Sequence, residues 1–146
     1  MILLDTNVIS EIMRPHPDSR VAAWIQSLPR KEFWTSSVVV AELLSGIDLM
    51  PSGRRQMGLR EAFEAMLTED FHGQILSFDL AAARYYGQIL STRQRIGRPI
   101  NEMDAQIAAT ARVHGATVAT RNLKNFRKCE LSLIDPWSDN PTELQF

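Results

Sequence analysis

Hydrophobic residues fall into two kinds of segment that alternate along this chain. Short apolar runs such as Ile2–Leu4 are too short for a helix and are typical of strands buried on both faces of a parallel sheet. Longer segments repeat apolar residues every three or four positions, as amphipathic helices do. The predicted strands are 2–4, 33–35, 74–78, 117–119 and 131–134, and the predicted helices are 8–13, 20–28, 38–49, 54–69, 81–95 and 102–114.

This alternation predicts an α/β fold in which a central parallel sheet of about five strands carries helices on both faces. No repeat, linker or low-complexity tract divides the chain. We therefore expect a single domain over residues 1–137, followed by a polar C-terminal tail over residues 138–146. Ligands of such sheets bind outside the carboxyl ends of the strands, so a functional site is expected in the residues that follow each strand.

Composition and charge narrow the choice of function. The chain has 146 residues, 45% of them hydrophobic, and a formal net charge of −1. This balance suits a globular domain and excludes a generally basic nucleic-acid-binding surface, so any attraction to nucleic acid must be local. A single cysteine, Cys129, excludes an internal disulfide and a Cys-based zinc finger. With no signal-peptide pattern and no membrane-spanning run, we expect a cytoplasmic protein that does not enter membranes.

Three carboxylates follow the predicted strands at one edge of the sheet. Asp5 ends the first strand, Glu42 lies in an apolar stretch of the helix after the second, and Asp104 lies in the first turn of the helix capped by Asn101. Each has an ordinary alternative, because aspartates stabilise helix N-termini and a helical glutamate can face solvent. Together, however, they would repel one another unless a hard divalent cation lay between them. The pattern favours a phosphoryl-transfer site in which Asp5 and Asp104 bind the metal, while Glu42 either completes the metal shell or orients and deprotonates the attacking water.

Neutral polar and basic residues surround these carboxylates in the sequence. Four neutral residues are expected to form a secondary polar shell around the acids as oxygen ligands or hydrogen-bond donors: Thr6, Thr120, Asn122 and Asn125. Two basic runs flank the acids and offer contacts for phosphate groups, although ordinary solvated charges are an equally good interpretation. The preferred phosphate contacts are Arg98, Arg121 and Lys124, and the same runs contain Arg93, Arg95, Arg127 and Lys128.

These motifs resemble those of PIN-domain ribonucleases. The resemblance rests on Asp-Thr-Asn-Val from Asp5, Val-Ala-Glu-Leu around Glu42, Asp-Ala-Gln-Ile-Ala-Ala-Thr-Ala from Asp104, and Val-Ala-Thr-Arg-Asn from Val118. Their order and spacing match over nearly the whole chain, as far as Trp137. Within PIN domains, the sequence is most similar to the VapC and FitB toxins of bacterial type II toxin–antitoxin pairs.

The resemblance implies a three-layer α/β sandwich and a Mg²⁺- or Mn²⁺-dependent endoribonuclease. It also implies a homodimer held inactive by a cognate antitoxin of the VapB or FitA kind, which would make any contact with DNA. The three family acids fall on Asp5, Glu42 and Asp104. The fourth falls on an amide here, either Asn122 or Asn125, which leaves open whether one or two ions bind.

Two further expectations concern the surface that binds the antitoxin and the functions that compete with the ribonuclease interpretation. We expect the antitoxin to bind apolar side chains at Trp24, Leu59 and Phe63. A haloacid-dehalogenase-like phosphatase is disfavoured because Asn7 stands where that class has its second aspartate, and a response-regulator receiver lacks its acidic pair. A non-catalytic binding module of the same fold remains an alternative that would not need the acids.

Overall fold

A computed structural model describes residues 1–146 as one six-stranded sheet surrounded by seven helices. The strands are β1 (Ile2–Leu4), β2 (Phe33–Ser36), β3 (Ile75–Leu76), β4 (Thr117–Ala119), β5 (Ser132–Ile134) and β6 (Leu144–Gln145). The helices are α1 (Thr6–Ile12), α2 (Ser19–Ser27), α3 (Ser37–Asp48), α4 (Arg54–Glu69), α5 (Leu80–Arg95), α6 (Glu102–His114) and α7 (Leu123–Phe126), with a 3-10 turn at Arg30–Glu32. The predicted α/β fold is confirmed.

The strand order is β3-β2-β1-β4-β5-β6, and every pairing except that of β5 with β6 is parallel. The central strand β1 pairs with β2 on one side and with β4 on the other, so Ile2 lies beside both Phe33 and Thr117. The chain moves from β1 outwards to β3 and then returns to β4 on the opposite side of β1. This reversal creates a topological switch point at the carboxyl ends of β1 and β4, which is where α/β sheets bind ligands.

The core lies around the three central strands. Leu3, Val118 and Leu133 have no exposed surface, and Ile107 of α6 is equally buried against them. Helix α6 begins at the side chain of Asn101 and ends at a left-handed residue, Gly115 (φ 59°), a conformation that glycine adopts without steric cost. The core therefore fixes the helix that carries Asp104. No helix in the structure is both long enough and apolar enough to cross a membrane.

The sheet has one strand more than the sequence pattern predicts. Within the polar tail, β6 pairs antiparallel with β5, and Leu144 lies opposite Leu133. Both residues of β6 are exposed, so backbone hydrogen bonds rather than a buried face define this strand. At the other edge, β3 is only two residues long where the pattern predicts five. Short edge strands are common in native sheets because they discourage pairing with other chains.

Candidate active site

Asp5 lies at the switch point, directly after β1. Its backbone N–H donates to the carbonyl of Ala119 at the end of β4 (3.0 Å), which extends the ladder between the two strands by one residue. Its carboxylate caps α1 by accepting from the backbone N–H of Thr6 (2.8 Å). The residue is only 4% exposed. Asp5 is therefore both a helix cap and a buried charge at the predicted ligand-binding edge.

Two side chains from opposite sides of the switch point hold the Asp5 carboxylate. The hydroxyl of Thr120 donates to Asp5 Oδ2 (2.8 Å), and Asn7 Nδ2 lies 3.2 Å from the same oxygen. Asn7 also connects the strands, because its side-chain oxygen accepts from the backbone N–H of Arg121 (3.2 Å). Sequence analysis included Thr120 but not Asn7, although Asn7 belongs to the Asp-Thr-Asn motif. An amide donor at this position, rather than a second carboxylate, fits poorly with a dehalogenase-type phosphatase.

Glu42 projects from the second turn of α3 towards the N-terminus of α1. Its Oε2 accepts from the hydroxyl of Thr6 (2.7 Å), the residue next to Asp5. Helix α3 is directed to this place by its cap at the end of β2, where the Ser36 side chain accepts from the N–H of Val39 (3.1 Å). Glu42 is half-buried, so the structure places it in the cleft rather than on the open surface.

Asp104 lies on α6 and is oriented by two amides. The Asn101 side chain caps α6 by accepting from the Asp104 N–H (2.8 Å) and donates back to Asp104 Oδ2 (2.7 Å). Asn125 Nδ2 approaches the same oxygen from α7 (3.3 Å). The Asn122 side chain is exposed and caps nothing, and this residue contributes only its backbone N–H to Thr120. The structure therefore brings Asn125, and not Asn122, into contact with an acid.

The three acids form a negative cluster without a cationic partner. No ion pair in the structure includes Asp5, Glu42 or Asp104. Burial, together with the charges of Asp104 and Glu42, raises the pKa of Asp5 to about 6, although the hydrogen bonds from Thr120 and Thr6 act to lower it. Burial also raises the pKa of Asp104, with Glu42 adding to the effect while Asn101, Asn125 and Arg93 oppose it. Unpaired, partly buried carboxylates of this kind mark candidate functional sites.

The donor atoms suit a hard divalent cation. Asp104 Oδ1 and Glu42 Oε1 accept no hydrogen bond, and since no buried side-chain oxygen lacks a partner, both face solvent in the cleft. The three carboxylates influence one another electrostatically, yet no three acidic, histidine or cysteine side chains are close enough to form a complete metal cage. Mg²⁺ keeps several of its waters when bound by one or two carboxylates. An ion of this kind needs only one or two of these carboxylates as direct ligands.

The basic residues divide into exposed and buried groups. Arg98, Arg121 and Lys124 are exposed, the first just before α6 and the other two between Thr120 and Asn125. The Arg121 guanidinium packs over the Trp137 ring at 5.1 Å. The expectation for Arg93 is wrong, since it is 4% exposed and its guanidinium donates to backbone carbonyls inside the protein. Sequence alone assigned it to a solvated run because its neighbours in the chain are charged.

An apolar groove begins at Glu42 and runs between α1, α3 and α4. Its volume is about 510 Å³. Of the three residues expected to bind the antitoxin, only Leu59 lines this groove. Trp24 (7% exposed) and Phe63 (0%) are core residues. The expectation that Trp24 and Phe63 face a partner is therefore wrong. The groove residues are Thr6, Ser10, Met13, Glu42, Leu43, Gly46, Ile47, Met50 and Leu59.

Comparisons with known proteins agree with this geometry. Toxin FitB of Neisseria gonorrhoeae is 43% identical over 139 residues, which cover 95% of this chain and all of that protein. The VapC ribonuclease Y4jK of Sinorhizobium fredii is 39% identical and covers 94% of this chain and 98% of its own length. A solved structure of FitAB bound to a DNA fragment superposes with a TM-score of 0.89 at 41% identity, covering 96% of this chain and 98% of that one. The PIN domain family model matches residues 2–130, and the chain therefore belongs to the PIN-domain family.

Proposed function

We propose that this chain is the endoribonuclease toxin of a toxin–antitoxin pair and that it requires Mg²⁺ or Mn²⁺. The observation that carries the proposal is the cluster of Asp5, Glu42 and Asp104, which meet at the switch point with no cationic side chain to neutralise them. Full-length similarity to proteins named toxin FitB and VapC ribonuclease supports the choice of RNA as substrate. We place its action in the cytoplasm, where RNA is accessible.

Asp5 and Asp104 are the residues that would hold the ion. A bound Mg²⁺ or Mn²⁺ would lower the pKa of an attacking water and neutralise charge on the scissile phosphate. The protein prepares for this with neutral donors: the Thr6 N–H and the Thr120 hydroxyl hold the two oxygens of Asp5, and the Asn125 amide holds one oxygen of Asp104. Neutral donors orient a carboxylate without cancelling its charge, so the attraction for a cation is retained.

Glu42 is suited to orient the water and accept its proton. The Thr6 hydroxyl fixes Oε2, which leaves Oε1 free to receive a hydrogen bond in the cleft. A general base needs such a free acceptor within reach of the proton that it removes. Exposed cations at Arg98, Arg121 and Lys124 would attract and position the RNA backbone without reading its sequence.

The decisive experiment removes single carboxylate charges. Asp5→Asn and Asp104→Asn should reduce cleavage of a defined RNA by at least about 100-fold and relieve growth arrest, and EDTA should abolish wild-type cleavage. The matched control is Asp79→Asn, because Asp79 also caps a helix, accepting from the N–H of Ala82 (3.0 Å), but begins α5 beyond the edge strand β3. Cleavage that persists in EDTA and is equal in Asp5→Asn would refute the proposal and favour a non-catalytic binding module.

The partner that fits this chain is an antitoxin with an apolar segment and a basic side chain. The groove beside Glu42 offers Met13, Leu43 and Leu59 to the apolar segment, and the unpaired acids at its end would attract an Arg or Lys. Such a cation would compete with the metal ion for the same charge. We propose that the toxin is a homodimer in this complex and contacts DNA only through the antitoxin; the similar FitAB complex has been solved bound to a DNA fragment.

Co-purification tests the proposed groove. Leu43→Asp should weaken capture of the co-expressed antitoxin, because it places a charge in the apolar groove next to Glu42. The matched control is Leu80→Asp, since Leu80 is 67% exposed on α5 and lies outside the groove. Equal capture by both variants would place the antitoxin elsewhere.

A further inference from the structure

Arg93 is a buried cation that forms no ion pair. It lies in the last turn of α5, and its guanidinium is satisfied by main-chain oxygens instead of a carboxylate. Nε donates to the carbonyl of Arg98 (2.6 Å), and Nη1 donates to the carbonyls of Asn125 (2.6 Å) and Arg127 (3.0 Å). Nη1 also lies 3.7 Å from the sulfur of Cys129. Burying a charge is costly unless it is fully hydrogen-bonded, so these contacts fix the side chain firmly.

The contacts of Arg93 join two segments that meet at Asp104. One segment is the loop before α6, through Arg98, and the other is α7, through Asn125. Between them lies a cavity of about 240 Å³ that reaches the candidate active site. The residues that line this cavity are Arg93, Pro99, Ile100, Asn101, Asp104 and Asn125.

Arg93 and Asp104 are connected through a single residue, Asn125. The backbone carbonyl of Asn125 accepts from Arg93, while its side-chain amide donates to Asp104 Oδ2. Helix α7 is only four residues long and its N-cap side chain makes no capping bond, so its position depends on the buried Phe126 side chain and on the donors that reach its carbonyl oxygens. The Arg93 guanidinium is the side-chain donor that binds the carbonyl of Asn125 itself and so restrains where the Asn125 amide lies.

We infer that Arg93 is a positioning residue for the candidate active site: its guanidinium holds α7 so that the Asn125 amide keeps Asp104 aligned for a divalent cation. The inference rests on the proposed function, because it assumes that Asp104 binds the ion. The planar guanidinium directs donors along two edges at once, whereas a lysine ammonium is a point charge without that geometry. Geometry, and not positive charge alone, is therefore the property that Arg93 supplies.

Mn²⁺ binding to the intact purified chain tests this inference without relying on catalysis. The signal of free Mn²⁺ in electron paramagnetic resonance gives the dissociation constant directly. Arg93→Lys and Arg93→Met should each weaken Mn²⁺ binding by about 10- to 100-fold, the usual effect of losing a residue that orients a metal ligand. The control is Arg112→Met, because Arg112 is a partly buried arginine of the adjacent α6 that contacts Glu130 and the Tyr85 ring and not the site. It should leave the dissociation constant unchanged.

Asn125→Ala provides a second test that leaves the buried cation in place. It should weaken Mn²⁺ binding as Arg93→Lys does, and combining the two should weaken it no further, because both break the same connection. If the Arg93 variants do not fold, Asn125→Ala decides alone. The inference would be overturned if Arg93→Lys or Asn125→Ala bound Mn²⁺ as tightly as the wild type. It would also be overturned if the double variant weakened Mn²⁺ binding by the product of the two single effects.

Asp5→Asn separates this inference from the proposed function. Loss of Mn²⁺ binding in Asp5→Asn, with wild-type binding in Arg93→Lys, would overturn the role of Arg93 and leave the metal site standing. Wild-type Mn²⁺ binding in Asp5→Asn, or no binding by the wild type, would overturn both.

Discussion

Asp5 should destabilise the folded protein at neutral pH when no divalent ion is present. Burial raises its pKa from 3.8 to about 6, so the folded state binds a proton more tightly than the unfolded state does. The stabilising effect of that proton is complete below pH 3.8 and is lost as the pH rises through 6. Because a tenfold change in proton affinity corresponds to about 1.4 kcal/mol, the loss at pH 7 is about 3 kcal/mol.

Asp5→Asn removes this charge but also loses hydrogen bonds. In the variant, the asparagine oxygen can still accept from the Thr6 N–H. Its NH₂ group, however, would face the Asn7 amide and the Thr120 hydroxyl, which in the wild type both donate to Asp5 Oδ2. Losing one such bond costs about 1 kcal/mol. In EDTA at pH 7 the variant should therefore be about 1–2 kcal/mol more stable than the wild type. At pH 4 the order should reverse, because the wild-type carboxyl is then protonated in the folded state.

Urea unfolding in EDTA between pH 4 and pH 7.5 measures this difference. Subtracting the variant from the wild type cancels the titrating groups that do not interact with Asp5 and leaves Asp5 with its coupling to Glu42 and Asp104. Mn²⁺ should then stabilise the wild type by mass action and leave the variant nearly unaffected. A stability difference that stays constant across the pH range would show that Asp5 is not the buried charge described above, and equal Mn²⁺ shifts would place the ion elsewhere.

The remaining predictions concern single contacts. Thr6→Val should lower the cleavage rate about 10-fold because Glu42 loses its orienting donor, while unfolding free energy falls by only about 1 kcal/mol in urea titrations. Asn125→Asp loses the amide donor to Asp104 but adds a carboxylate beside it, and a direct anionic ligand should outweigh the lost donor, so the Mn²⁺ concentration for half-maximal cleavage should fall. Asn122→Asp, whose side chain is exposed, should shift it less, and the opposite order would assign the fourth acidic position to Asn122. Phe63→Ala should cost about 3–5 kcal/mol of stability, because Phe63 is a core residue; a loss of antitoxin capture without loss of stability would contradict this.

Most of the sheet and helices follow from local pattern alone. Helix α6 and strand β4 have the predicted bounds, because a capping asparagine, a terminal glycine and a short apolar run are local signals. Strand β6 does not follow from pattern, since its two residues are exposed and paired only through the backbone. An edge strand of that kind depends on the chain returning to β5, which no local sequence signal encodes.

The candidate site also contains residues that the sequence predicts and residues that only the fold reveals. Asp5, Glu42 and Asp104 stand out in the sequence because a charge beside buried apolar residues needs a reason, and the switch point brings them to one edge. Asn7 and Arg93 do not stand out, because their roles come from partners more than thirty residues away in the chain. An arginine in a basic run is normally solvated, and only the folded positions of the Arg98, Asn125 and Arg127 carbonyls make this one internal.

The acids are held by amides and hydroxyls because these neutral groups orient a carboxylate without cancelling its charge. An arginine or lysine in direct contact with Asp5 or Asp104 would orient the carboxylate but would also neutralise it and compete with a metal ion. Neutral donors fix the geometry and leave the negative charge available to an incoming cation. Arg93 fits this logic because it forms no ion pair with Asp104: its donors end on carbonyl oxygens, and its hydrogen-bonded connection to Asp104 runs through the amide of Asn125. The same unneutralised charge would make the site attractive to a basic side chain from an antitoxin, so the feature that suits the cleft for metal-dependent cleavage also exposes it to inhibition.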